Sequence, residues 1–281
     1  MSTELLNVDL HCHSTISDGV LAPAEVAARA KANGVDVWAL TDHDEIRGIP
    51  QARSAALDLG LQYVTGVEIS ITWAGKTIHI VGLNIDEKNE NLIRGLAETR
   101  SGRERRAHEM AAGLAKAGIP NAFQGALTYV GNPDLISRSH FARYLVEIGA
   151  CDTVNEVFKR YLIEGKPGYV PHRWATLAEA VKWIQGAGGE AVVAHPGRYE
   201  LSPVAFDAFF NEFKSYGGSA IEVVTGSHTV DQYAEYTKIA SRYGFLGSRG
   251  SDFHGPDDAV VDLGQLPPLS STLTPVWSKW M

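Results

Sequence analysis

The sequence is short of several features, and each shortage narrows its class. Its 281 residues include two cysteines, Cys12 and Cys151. Two cysteines make no disulfide framework, so a reducing compartment is expected. No apolar run approaches the roughly 20 residues that span a bilayer, so no membrane partner is expected. A basic start, an apolar stretch and a small-residue cleavage site do not occur together near Met1, which points away from secretion and toward the cytoplasm. Positive charge is also scarce: 25 Lys and Arg face 33 Asp and Glu, a net charge of -8. Long nucleic acid is held by basic surfaces that release counterions, so an acidic chain argues against that partner. A small phosphorylated ligand held by a few local cations stays compatible. There is no internal repeat and no low-complexity segment.

What is present is an alternation. "LLNVDLHCH" reads as a strand, and "PAEVAARAKANG" as a helix with Pro23 at its start and Gly34 past its end. "VDVWALTDHD" is a strand, "GIPQARSAALDLG" a helix, and "QYVTGVEIS" and "KTIHIVGLNI" are two more strands. From about Glu87 to Leu162 the pattern turns helical throughout. Alternation then resumes through "TLAEAVKWIQGAGG", "EAVVAHP", "PVAFDAFFNEFKSYG", "AIEVVTG", "VDQYAEYTKIASRYG" and "FLGSRGSDFHG". This order predicts an α/β protein with a parallel sheet, open or closed into a barrel, and a helical insertion between two strands.

Polar residues gather where the strands end. His11 and His13 follow "VDL", and Asp42 and His43 follow "VWAL". Glu68 ends "YVTGV", His79 lies in "TIHIVGL", His195 follows "AVVA", and Asp252 and His254 follow "FLGSRG". In parallel α/β folds the loops after strand C-termini build the active site. His11 and His13 share one strand face while Cys12 takes the other, and Asp252 and His254 repeat that spacing. Imidazoles with carboxylates suit zinc, manganese or iron, and the lack of a cysteine pair argues against a structural zinc site. Singly, each feature has a plainer reading. A lone His79 is usually a satisfied polar group. "TDHDEI" can be a helix N-cap through Asp42 or Asp44, and "AHPG" can be only a turn. Six such coincidences at strand ends are much harder to dismiss.

In order along the chain, "DLHCHSTISDG", "ALTDHDEI", "GVEIS", "AHPGR" and "GSDFHG" resemble the motifs of the PHP (polymerase and histidinol phosphatase) metal-dependent phosphoesterases. The resemblance implies a distorted (β/α)7 TIM-like barrel with two or three metal ions at its C-terminal face. It divides the chain into barrel residues 1–98, an inserted helical lid at 99–165, and barrel residues 166–281. It assigns His11, His13, Glu68 and Asp252 to a first ion. Glu68 would bridge to a second ion held by His79 and His195, and Asp18, His43 and His254 would hold a third. Many relatives carry histidine where Asp18 stands, and the harder carboxylate favours Mn(2+), with Zn, Fe or Mg as alternatives. Catalysis would then use a metal-bridging hydroxide held by Glu68, Asp252 and His254.

The insertion and "SRSHFARYLVEIG" look like the branch acting on nucleoside 3',5'-bisphosphates or trimming short RNA from its 5' end. The expected substrate is thus a small nucleotide or short oligoribonucleotide, with histidinol phosphate as the alternative. Its phosphates would be met by Arg138 and His140 in "SRSHFAR", Lys166 in "EGKPGYV", Arg173 in "PHRW", Arg198 in "AHPGR" and His228 in "TGSHT". Tyr169, Trp174 and Tyr199 are available to stack on a base. "RSGRERRAH", carrying Arg100, Arg103, Arg105 and Arg106, reads as a solvated helix face rather than a nucleic-acid patch. A vestigial metal-holding module should have lost ligands, and an amidohydrolase would want a different histidine spacing or a carboxylated lysine.

Overall fold

A computed structural model describes residues 6–172, 174–257 and 260–281. Seven strands form one sheet in chain order: β1 (Val8–Asp9), β2 (Val37–Leu40), β3 (Gln62–Trp73), β4 (Lys76–Leu83), β5 (Glu190–Val193), β6 (Ala220–Thr225) and β7 (Leu246–Gly250). The first and last strands meet. Leu10 N–H donates to the Arg249 carbonyl at 3.0 Å, and His13 N–H to the Phe253 carbonyl at 2.8 Å. Contacts across this seam make the sheet a nearly closed barrel. The approach needs glycine, because a Cβ at Gly250 would stand 2.3 Å from the His11 Cβ.

One expectation is corrected. The sheet is not wholly parallel, since β4 runs antiparallel to both β3 and β5. Only Ala74 and Gly75 separate β3 from β4, and both have positive φ, 46° and 76°. Two residues can close a hairpin but not a parallel crossover, which takes a dozen or more.

Helices wrap the barrel: α1 (Pro23–Ala32) and α2 (Ile49–Asp58) lie among the first strands. α3 (Glu90–Arg100) follows β4 and places Leu92 and Leu96 in the same apolar cluster as Val181 and Ile184 of α8 (Leu177–Gly186). α9 (Pro203–Ser215) and α10 (Val230–Tyr243) cover the later strands. Thr176 and Glu179 form a capping box at the start of α8, and Thr229 and Gln232 one at α10. Such signals explain why these helices begin where the sequence says they should.

Between α3 and α8 stand α4 (Arg103–Lys116), α5 (Ala122–Leu127), α6 (Arg138–Glu147), α7 (Val154–Val157) and a π turn at Phe158–Leu162. They share a core of their own, with Met110, Leu114, Phe141, Leu145, Val157 and Leu162 fully buried. No described helix is long and apolar enough to cross a membrane.

Candidate metal centre

The strand ends bring nine side chains to one mouth. His11 Nε2 and His13 Nε2 stand 3.2 Å apart. Glu68 oxygens lie 3.3 Å from each of them, and Asp252 Oδ1 lies 3.5 Å from His11 and 3.3 Å from His13. Ligand bonds of about 2.0–2.2 Å at tetrahedral angles place ligand atoms about 3.3–3.6 Å apart. The four groups therefore already have the spacing of a shared shell. His79 Nδ1 and His195 Nε2 approach Glu68 Oε1 at 2.9 and 3.1 Å. Asp18 Oδ1 faces His254 Nε2 at 3.4 Å and His43 Nε2 at 3.8 Å, with His13 Nδ1 at 4.0 Å. His43 Nδ1 turns to the other Glu68 oxygen at 2.9 Å. Grouped by mutual reach, the clusters are His13 with Asp18, His43 and His254; His11 with His195 and Asp252; His11 with His13 and Glu68; and His43 with Glu68 and His79. His195 thus shares a group with His11 and Asp252 while its Nε2 keeps Glu68 Oε1 at 3.1 Å.

Chemistry also fits a cation. Asp18 Oδ1, Glu68 Oε2, His43 Nδ1 and His79 Nδ1 are buried without a hydrogen-bond partner. Burial alone would raise the carboxyls of Asp18, Glu68 and Asp252, yet the surrounding imidazoles hold all three well below the usual range. Burial opposes charge on His13 as well, but Asp252 and Glu68 lift it to about 10. His195, buried beside Arg198, falls to about 3. The acids demand positive charge at the centre, and divalent ions among neutral imidazoles supply it without protons.

The backbone aims these groups. Among the described non-glycine residues six have positive φ, and three are here: Asp44 at 51°, His195 at 26° and Asp252 at 57°. Such strain persists only where surrounding bonds over-determine it. Glu222 is one source, and sequence reading passed over it. Its Oε1 accepts from His11 Nδ1–H at 2.6 Å, and its Oε2 accepts from His195 N–H at 2.7 Å. That fixes the His11 tautomer with Nε2 free for the centre. An acid in the middle of "AIEVVTG" was the available signal. Neither Asp42 nor Asp44 caps α2, whose N-cap is Gly48. Asp42 instead accepts from Ser14 N–H, Ser14 Oγ and Ser17 Oγ at 2.6–2.8 Å, clamping the loop that ends in Asp18.

Beside the metal centre opens a narrow cleft with a volume of about 140 Å³. Arg138 and Arg198 line it. Arg198 Nη1 donates to Asp252 Oδ2 at 2.9 Å. Other expectations need correction. Lys166 is exposed and lies outside the cleft lining. His140 is buried, its Nδ1 accepting from Ser137 N–H at 2.9 Å as part of the α6 cap. His228 lies beneath the His195 loop, where Nε2 accepts from Gly197 N–H at 2.9 Å and Nδ1 faces the Val223 carbonyl. Arg173 lies outside the described residues. Of the aromatics, Trp174 lines the cleft. Tyr199 is committed below it, its hydroxyl accepting from His79 N–H at 2.9 Å, and Tyr169 is half-buried outside the lining.

The largest departure concerns "RSGRERRAH". Arg105 does face solvent. Arg103 and Arg106, three residues apart on α4, turn inward and line the cleft at 5% and 8% exposure. Arg103 pairs with Asp44, and Arg100 donates to the Asp44 carbonyl. Nothing in the local charge pattern separates an inward arginine from a solvated one; the buried acid that receives it is 59 residues away.

Comparison with known proteins agrees with this geometry. A "3',5'-nucleoside bisphosphate phosphatase" of Chromobacterium violaceum is 46% identical over 98% of this chain and 96% of its own length. A "5'-3' exoribonuclease" of Haemophilus influenzae is 43% identical, covering 97% of this chain and 98% of its own. Among solved structures, one described as an amidohydrolase from Chromobacterium violaceum with bound sulfate superposes with a TM-score of 0.95 at 46% identity. It covers 97% of this chain and 95% of its own. The PHP domain pattern matches residues 9–185. This chain belongs to the PHP domain family.

Proposed function

We propose that this protein is a metal-dependent phosphoesterase that removes the 3'-phosphate of nucleoside 3',5'-bisphosphates and trims short RNA from its 5' end. The observation that carries it is a ring of nine imidazole and carboxylate ligands opening directly onto an arginine-lined cleft. The reading takes its substrate class from the likeness to the phosphatase and the exoribonuclease. His11, His13, Glu68 and Asp252 would hold one ion, Glu68, His79 and His195 a second, and Asp18, His43 and His254 a third, with manganese the first choice. Such ions bring water's pKa toward neutrality and offset charge building on phosphorus.

The chain's own residues do the rest. Arg198, held by Asp252, presents its guanidinium beside the ligands, where it orients the scissile phosphate and neutralises one of its oxygens. His254 is locked by its Nδ1 contact with the Asp252 carbonyl at 2.9 Å, so that Nε2 points to Asp18. Trp174 and Phe158 wall the cleft and exclude water from around the nucleoside. The helical segment 99–165 acts as the lid that carries Phe158.

The test is direct. Manganese-loaded protein is given adenosine 3',5'-bisphosphate, a short 5'-phosphorylated RNA and histidinol phosphate at equal concentration. Release of inorganic phosphate and adenosine 5'-monophosphate from the first, and mononucleotides from the second, is expected. Faster turnover of histidinol phosphate, or no turnover of either nucleotide, contradicts the proposal.

A further inference from the structure

The loop between β5 and α9 carries two groups that the proposed chemistry needs, His195 and Arg198, at the edges of one 3-10 turn, Pro196–Arg198. His195 enters that turn at a φ of 26°. A single turn of this kind offers its own backbone few bonds: Arg198 N–H donates to the His195 carbonyl at 3.0 Å, and Tyr199 N–H to the Pro196 carbonyl at 3.2 Å. Its middle residue is nevertheless gripped from both sides by side chains that follow β6. Gly197 N–H donates to His228 Nε2 at 2.9 Å, and the Gly197 carbonyl accepts from Gln232 Nε2 at 3.2 Å. Neither His228 nor Gln232 belongs to the metal clusters or lines the cleft.

The grip is specified atom by atom. His228 Nδ1–H donates to the Val223 carbonyl at 3.1 Å, which leaves Nε2 with the lone pair that accepts from Gly197. The ring stacks on Tyr236 at 4.7 Å, and burial lowers its pKa to about 4, so the neutral form persists at neutral pH. Gln232 is the third residue of α10, and its Oε1 accepts from Thr229 N–H at 2.9 Å, so its amide nitrogen is the end that faces Gly197. The close approach requires glycine: a Cβ at 197 would stand 2.7 Å from Gln232 Nε2 and 2.8 Å from His228 Nε2. His195 has a separate hold, the Glu222 carboxylate on its N–H at 2.7 Å. Arg198 depends on the turn itself. Its side chain is half-exposed, with only the far end paired to Asp252 at 2.9 Å.

We infer that His228 and Gln232 are positioning residues for Arg198: by clamping Gly197 they set the direction from which the Arg198 guanidinium meets the phosphate being cleaved. This rests on the phosphoesterase reading above and deepens it. Both residues act through the turn and not on the substrate. The cost of losing either therefore falls on Arg198, and disappears where Arg198 is already gone.

Kinetics, calorimetry and amide exchange test the clamp together. Gln232→Glu separates positioning from folding, because glutamate keeps the capping box with Thr229 but has no N–H for the Gly197 carbonyl. Its thermal midpoint should stay within about 2 °C of wild type. On adenosine 3',5'-bisphosphate, kcat/KM of the manganese-loaded variant should fall about 10–100-fold. His228→Ala should lose as much, and His228→Gln, whose side-chain oxygen can accept from Gly197, should recover part of it. In an Arg198→Met background either substitution should cost less than about twofold more. Manganese affinity, measured by calorimetry, should hold within about twofold in Gln232→Glu, since Glu222 keeps His195 in place. Exchange of the Gly197 amide proton reads the clamp without turnover and should speed by at least about tenfold in His228→Ala. Full additivity with Arg198→Met, a loss of manganese affinity of about tenfold in Gln232→Glu, or unchanged Gly197 exchange overturns the assignment. Wild type inert on the bisphosphate would instead sink the phosphoesterase reading, and amide exchange would still decide the clamp.

Discussion

Removing the Asp44 carboxylate should do damage out of proportion to its size. The side chain is fully buried between the loop that carries His43 and the start of α4. Asp44→Ala strands three donors: Arg103, itself only 5% exposed, and the Ser70 amide and hydroxyl. Breaking a buried ion pair from one side costs about 3–5 kcal/mol, because the partner charge stays buried. At about 2–4 °C per kcal/mol for a domain somewhat smaller than this, the midpoint of thermal unfolding should fall by roughly 6–20 °C. Asp44→Asn should lose less, since asparagine tolerates the positive φ and can still accept from Ser70. The decisive assay is a double-mutant cycle in urea with Arg103→Met. Once both charges are gone, little remains to be compensated, so the double variant should recover at least about 2 kcal/mol relative to the sum of the singles. An Asp44→Ala loss below about 1 kcal/mol, or simple additivity, refutes the claim that this pair is a buried clasp.

Three other outcomes follow from the packing. Gly250→Ala forces a Cβ into the His11 Cβ at 2.3 Å; calorimetric manganese affinity should weaken by about 10–100-fold, as for other changes that shift a ligand's support. Phe141→Ala empties the core of the helical segment, which should cost about 3–5 kcal/mol in urea unfolding and raise KM for the bisphosphate. His228 is depressed to about 4 by burial, below its unfolded value of 6.5. The unfolded chain therefore takes up its proton first. Stability should fall as pH drops from about 6.5 to 4, by at most about 1.4 kcal/mol per pH unit from this group. His228→Gln should flatten that part of the unfolding profile, and an unchanged slope would contradict the assignment.

Much of the barrel was legible because its signals are local. Pro23 and Gly34 bracket α1, and strand-end histidines mark the mouth wherever an apolar run stops. The motif order carried the family. What escaped depends on long-range partners. Glu222 reads as a stray acid until β6 lies near β1 and its carboxylate meets His11. Arg103 and Arg106 read as a solvated stripe until Asp44 and Trp174 arrive beneath them. His228 and Lys166 follow the reverse logic: a strand end or loop suggested a ligand contact, while the chain path turned one under the His195 loop and the other into solvent.

Everything proposed for the barrel mouth requires its acids and imidazoles to hold divalent ions. Anomalous diffraction from manganese-soaked crystals measures it most directly. At least two peaks are expected, each within bonding distance of about 2.0–2.4 Å from ligand atoms of the cluster, with Glu68 shared between two. Crystals with no peak beside Glu68, or with the nine side chains turned away from any bound ion, would contradict it.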